Sequence, residues 1–218
     1  MAALRLAIDL GTSHTVAVVR RGDEAPRPLL VDGSPVLPSA VFSEPPHLHV
    51  GRDAERMALT DPSRYEPHPK RRVDEGRVLL GNTEVAVVDM FVALLRRIAT
   101  EAAQAGVPVG GGAVLTCPAD WGASRRGVLM SAAQRAGLGA VRLVDEPVAA
   151  ATYCLDVLRQ QVPVGGTVAV FDFGGGTLDA SVLRREPAGL RVLSVGGLDD
   201  LGGVDVDAAL VGHLGQLI

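Results

Sequence analysis

Near its N-terminal end and again in its last third, this chain writes the same piece of local structure. The apolar run LAI leads into Asp9-Leu10-Gly11-Thr12-Ser13-His14-Thr15 and out through VAVV; the run VAVF leads into Asp172-Phe173-Gly174-Gly175-Gly176-Thr177-Leu178-Asp179 and out through ASVL. Each copy reads as strand, Asp-x-Gly turn, strand, with an aspartate at the end of a buried strand, the pattern an internal duplication leaves. Such a chain must fold around its hairpins, and two of them facing each other would make a jaw.

The turn chemistry suits phosphate. Glycine allows φ > 0 and lets backbone N–H groups approach an anion with no side chain in the way. The hydroxyls of Thr12, Ser13, Thr15 and Thr177 add donors. A carboxylate at the mouth of a phosphate cradle is repulsive unless a cation lies between, so charge balance at Asp9 and Asp172 calls for Mg2+, reached through its waters. One DxGT hairpin is also ordinary turn chemistry. Three glycines after Asp172 are harder to explain that way, because each adds to the backbone entropy lost on folding.

Composition narrows the alternatives. At 218 residues and 47% apolar, the chain has the length of one large or two small domains and can bury a core. Net charge is −4 and the basic residues are dispersed, with Lys70-Arg71-Arg72 the one dense patch, so no nucleic-acid surface is expected. Cys117 and Cys154 fall in segments that read as buried strand and helix, without a pairing framework, which fits a reducing compartment. His47 and His49 alternate as on a surface strand. The first strand leaves no room for a signal peptide and no apolar stretch approaches a bilayer span, so the expectation is a soluble cytoplasmic protein.

Along the chain, residues 20–50 are rich in Pro and Gly, with β-like runs at 29–31, 40–43 and 48–50, and read as a loop-rich insertion. Asp53 to Leu59 suits a short helix. Residues 61–76 have no periodicity, and there lies Lys70, the one lysine in a chain with twenty arginines. Functional side chains are often carried on such backbone; the plain alternative is a surface lysine in an arginine-biased chain. From Val87 to Ala105 the apolar residues Phe91, Leu94, Leu95, Ile98 and Ala102 recur at helical steps, as in a core-packing helix. Ala113 to Cys117 reads as a strand stopped by Pro118, Ser124 to Ala136 as a helix, and Val141 to Val144 as a strand. Asp145-Glu146-Pro147 opens another helix, with proline in its first turn. Glu146 there is either a carboxylate favoured by the helix dipole or a site residue. A strand at 190–195 precedes a helix from near Val204 that lacks a stop signal, so the chain reads as a piece of a longer α/β protein.

These segments together resemble the nucleotide-binding domain of the seventy-kilodalton heat-shock (DnaK-type) chaperones, within the actin and sugar-kinase superfamily. LAIDLGTSHTVAVV resembles the first phosphate motif, HPKRR the lysine segment, VLTCPADWGASRRGVLMSAAQRAGL the stretch around a switch proline, LVDEPVAAATYCL the connecting motif, and VAVFDFGGGTLDASVL the second phosphate motif. VLPSAVFSE, VGRDAERMA and GLDDLGGVDVDAAL resemble further family segments. The resemblance implies an α/β, actin-like ATPase (ribonuclease H-like) fold of mixed sheets flanked by helices, comprising the first lobe and the start of the second. It implies a first-lobe core at 1–37 and 108–160, an inserted subdomain at 38–107, and the beginning of the second-lobe core at 161–218.

The same resemblance implies ATP/ADP and Mg2+ as ligands, with Gly11, Thr12, Ser13, His14, Gly174, Gly175, Gly176 and Thr177 as phosphate contacts. It makes Lys70 the lysine required for hydrolysis, places Thr177 close to the γ-phosphate, and has Asp9 and Asp172 arrange the magnesium waters with Glu146 beside them. Asp179 is a second acid of that turn, and Pro118 and Arg126 relay nucleotide state to a peptide-binding domain. Implied partners are a C-terminal substrate-binding domain, unfolded polypeptide clients, a co-chaperone and a nucleotide exchange factor, with no nucleic acid and no membrane. Two positions depart from the pattern: Asp120 stands where an aromatic residue is usual, followed by Trp121-Gly122-Ala123, and Asp199-Asp200 replaces a usual threonine.

By analogy most of the adenosine pocket falls beyond Ile218, so exposed apolar surface and weak ATP affinity are expected of this stretch alone. The expected function is the ATPase of a chaperone of this kind, by in-line attack of water on the γ-phosphate coupled to lobe motion. Its rivals are an actin-like filament ATPase and a nucleotide-sensing module without significant turnover.

Overall fold

A computed structural model describes residues 4–216. The chain divides into two compact units, one of Met1–Thr116 with Trp121–Leu143, the other of Cys117–Asp120 with Val144–Ile218.

In the first unit β1 (Leu4–Leu10) and β2 (His14–Arg21) form an antiparallel hairpin in register from Leu4↔Arg21 to Leu10↔Thr15. The two-residue period of a strand turns Ile8 and Leu10 inward, at 1% and 2% exposure. β3 (Arg27–Pro28) and β4 (Val36–Pro38) both pair with β2. The run at 29–31 is not a strand, contrary to expectation. Leu29 donates its N–H to the Ala17 carbonyl, and Val31 bridges only to Ser34 around Asp32-Gly33, with φ of 51° and 74°. Two successive left-handed residues make a tight primed-type turn and reverse the chain before a strand can grow.

β5 (Val41–Glu44), β6 (His47–Val50) and, after the short helix α1 (Arg52–Ala58), β7 (Tyr65–Glu66) build a small sheet in the order β6-β5-β7. Phe42 packs there with Ala40 and Ala54, backed by Met57 and Tyr65. The aperiodic stretch 61–76 holds two 3-10 turns, Pro62–Arg64 before β7 and Pro69–Arg72 after it. Then comes a hairpin that periodicity did not indicate, β8 (Arg77–Leu80) and β9 (Thr83–Ala86). Its signal was the pair Gly81-Asn82, with Gly81 at φ 62°, a two-residue loop of the kind that matches strand twist.

α2 (Val87–Gln104) carries the predicted apolar face: Phe91, Leu94, Leu95 and Ala102 are 0% exposed and Ile98 1%. β10 (Ala113–Cys117) lies parallel to β1, from Leu6↔Ala113 to Ile8↔Leu115, which makes the main sheet mixed. α3 (Ala123–Arg135) packs on α2. β11 (Val141–Asp145) completes the order β11-β10-β1-β2-β3, and the division between the units falls within it.

In the second unit α4 (Glu146–Asp156) has Asp145 as its N-cap and Pro147 in its first turn. β12 (Thr167–Phe173), β13 (Leu178–Glu186) and β14 (Gly189–Leu198) form a meander, and α4 packs on all three. α5 (Gly203–Gly215) follows, one residue ahead of the predicted start. Aligning the two Asp-x-Gly turns sets Phe171 and Phe173 opposite Ile8 and Leu10, yet they are 77% and 55% exposed. β1 has a neighbour on each side; among the described residues β12 pairs with β13 alone. Neither Cys117 nor Cys154 is joined in a disulfide. No described helix is long and apolar enough to cross a membrane.

Candidate functional site

The first turn, Gly11 to His14, is closed by a hydrogen bond from the Gly11 N–H to the His14 carbonyl, 3.1 Å. A methyl group at Gly11 would lie 2.5 Å from that carbonyl oxygen, so the closure requires glycine. Behind the turn sits Ser39, 0% exposed. Its hydroxyl donates to the Gly11 carbonyl (2.8 Å) and its N–H to the Ser13 carbonyl (2.9 Å). A serine hydroxyl has one hydrogen, so the 3.0 Å contact between Thr15 and Ser39 is donated by Thr15. Sequence reasoning missed Ser39, because its partners are 24 and 28 residues away. At the end of β1 the exposed carboxylate of Asp9 accepts a hydrogen bond from Thr116 on β10, 2.7 Å.

Lys70 rides on the 3-10 turn Pro69–Arg72, half-buried. The carboxylate of Glu66, 4% exposed, fixes this turn from both ends: one oxygen accepts the His68 N–H (2.8 Å), the other the Arg72 Nε–H (2.9 Å). Arg72 is held more firmly in its charged form by Glu75 and by Glu66. The His68 ring meets the Thr12 carbonyl at 3.3 Å, which ties the lysine turn to the first hairpin loop. The Lys70 ammonium stands 5.6 Å from the ring centroid of Trp121, itself 6% exposed, within cation–π range. Arg126 donates to the Trp121 carbonyl at 2.6 Å, so Lys70, Trp121 and Arg126 form one cluster.

Glu66→Gln keeps the shape of the carboxylate but removes its charge and one acceptor. It is expected to lower the stability of the first unit by about 1–2 kcal/mol, read as a lower urea midpoint. An unchanged midpoint would show that the Lys70 turn holds itself.

In the second unit the turn Gly174 to Thr177 repeats the closure of the first, with the Gly174 N–H donating to the Thr177 carbonyl at 3.0 Å. The Thr177 hydroxyl donates to Asp179 at 2.6 Å. Asp172 faces Asp179 directly across the ladder, where Asp9 faces Val16. Like charges so placed repel. Glu146 and Pro118 line a small cleft together with Asp172 and Asp179. Among the described residues no three His, Cys, Asp or Glu side chains converge to grip a metal ion. The hard oxygens of Asp9, Asp172 and Glu146 are of the type that holds Mg2+ through retained waters. A larger cleft of about 630 Å³ lies along α2, β6 and β9 and includes none of these residues.

Residues 78–218 match the family described as Hsp70 protein. Among curated proteins, the chaperone protein DnaK of Cenarchaeum symbiosum is 34% identical over 217 residues, covering 96% of this chain and 32% of its own length. DnaK of Halobacterium salinarum is 32% identical over 212 residues, covering 96% and 33%. A chaperone protein HscA homolog of Pseudomonas fluorescens is 35% identical over 240 residues, covering 97% and 37%. The chain spans about a third of the length of the relatives it matches.

Proposed function

The chain belongs to the Hsp70 family, and on that premise we propose that it is the ATP-binding and ATP-hydrolysing domain of a chaperone of this kind. The observation that carries this is the equivalence of the two turns. Each follows an aspartate at the same place in its hairpin, and each is closed by the same N–H to carbonyl bond from its first glycine. An equivalence of this kind is what a ligand with repeated anionic groups selects.

In this reading Gly11 and Gly174 close the two turns with their own N–H groups, leaving the backbone N–H groups of Thr12, Ser13 and His14 on one side, and of Gly175, Gly176 and Thr177 on the other, to receive phosphate oxygens. Asp9 and Asp172, with Glu146, would hold Mg2+ through its waters, and the ion's charge would relieve the repulsion between Asp172 and Asp179. The ion supplies charge neutralisation on the phosphate oxygens. Lys70 acts as a point charge near the γ-phosphate and the attacking water, a role that suits a compact ammonium. Thr177 steadies the γ-phosphate, its hydroxyl oriented by Asp179. Pro118 and Arg126 pass nucleotide state toward a substrate-binding domain that takes unfolded polypeptide, with a co-chaperone and an exchange factor as partners.

The test is single-turnover hydrolysis of ATP with magnesium. Slow hydrolysis that stops when magnesium is chelated is expected. ATP that stays bound and intact would overturn the ATPase reading in favour of a nucleotide sensor.

A further inference from the structure

We infer that Gly202 and the first turn of α5 are the positioning device of the second turn, setting the direction in which Gly175 and Gly176 present their N–H groups; the inference rests on the phosphate reading above. Gly202 has φ −153° and ψ −174°, an extended conformation open to any residue. What requires glycine there is proximity. A Cβ at Gly202 would lie 2.5 Å from the Gly176 nitrogen and 2.6 Å from the carbonyl carbon and oxygen of Gly175. The backbone of residue 202 therefore rests directly on the peptide group between Gly175 and Gly176.

The next two residues complete the contact. The Gly203 N–H donates to the Gly174 carbonyl at 2.9 Å and the Val204 N–H to the Gly175 carbonyl at 3.0 Å. Both are first-turn helix donors that have no partner within their own helix. Asp205 locks the corner: its carboxylate accepts the Gly202 N–H at 2.8 Å, and its own N–H donates to the Gly202 carbonyl at 3.0 Å.

A trans peptide unit is planar, with its C=O and N–H directed oppositely. The Gly174 carbonyl shares a unit with the Gly175 N–H, and the Gly175 carbonyl with the Gly176 N–H. Drawing both carbonyls onto α5 turns both N–H groups away from it, into the concave arrangement an anion needs. The first turn reaches the same end by other means. There Ser39 takes the carbonyls of Gly11 and Ser13 from behind, which sends the N–H groups of Thr12 and His14 the opposite way. One turn is held by a buried side chain, the other by main-chain contact that tolerates no Cβ.

The test uses the 218-residue chain, labelled with ¹⁵N and titrated with Mg-ATP into the millimolar range, as the weak affinity expected of this stretch requires, following the Gly175 and Gly176 amide signals. In the wild type both should shift and saturate. Gly202→Ala should weaken that binding on the order of tenfold or more, while signals from β13 and β14 stay in place. Gly203→Pro removes one donor at a helix position where proline is favoured, and should weaken binding about threefold.

Two variants that bind within twofold of wild type would overturn the inference and leave the phosphate reading standing. Wild-type glycine signals that ignore Mg-ATP would overturn that reading, and the inference with it. If Gly202→Ala loses the β13 and β14 signals, Gly203→Pro decides by the same measure.

Discussion

Lys70→Ala is expected to lower the single-turnover rate of ATP hydrolysis by about 10²- to 10³-fold, the usual effect of removing one group that stabilises developing charge, while ATP still binds. The basis is placement. The ammonium is half-buried, carried on a turn pinned by Glu66 and braced on the face of Trp121. Lys70→Arg should fail nearly as badly. A guanidinium can keep the contact with Trp121, but its planar fork is longer and bulkier than an ammonium and does not deliver a point charge to the same place. Loss of ATP binding along with turnover would make Lys70 a ground-state ligand, and turnover that persists in Lys70→Ala would sink the assignment.

Phe91→Ala is expected to destabilise the first unit by about 3–5 kcal/mol, the range for truncating a large buried aromatic. Phe91 is 0% exposed on the apolar face of α2. Trp121 is the chain's only tryptophan and belongs to that unit, so its emission reports unfolding there. With a urea dependence of about 1–3 kcal/mol per molar, the midpoint should fall by roughly 1 M or more. A fall below about 0.3 M, on the same dependence, would mean that the core around α2 collapses to fill the void.

The two hairpins and α2 were legible because their signals are local: alternation broken by Asp-x-Gly in one case, three- and four-residue steps in the other. The β8–β9 hairpin is hard to see in the sequence because burial alternates along β8 while polarity does not: Leu79 is 65% exposed inside the apolar run Val78-Leu79-Leu80, and only Gly81-Asn82 betrays the turn. The parallel pairing of β1 with β10 joins Leu6 to Ala113, and nothing in either run names the other. Ser39, Glu66 and Gly202 escaped notice for a related reason. Each is an ordinary residue by type, and its importance lies in what the fold brings against it. Phe171 shows the limit from the other side. An apolar residue in a strand pattern is buried only if something covers it, and the strand's own sequence does not say what.

A side-chain amine is the target of acylating chemistry, enzymatic or synthetic, and this chain offers one. Twenty arginines keep their charge under such treatment; Lys70 loses it, together with its attraction to the Trp121 ring. With no second lysine to act as a decoy, any lysine-directed acylation of these 218 residues falls on Lys70, the ammonium proposed to act in hydrolysis. Under the proposed role of Lys70 a single acetyl group is an off-switch, and the emission of Trp121, whose ring the ammonium faces, its built-in gauge.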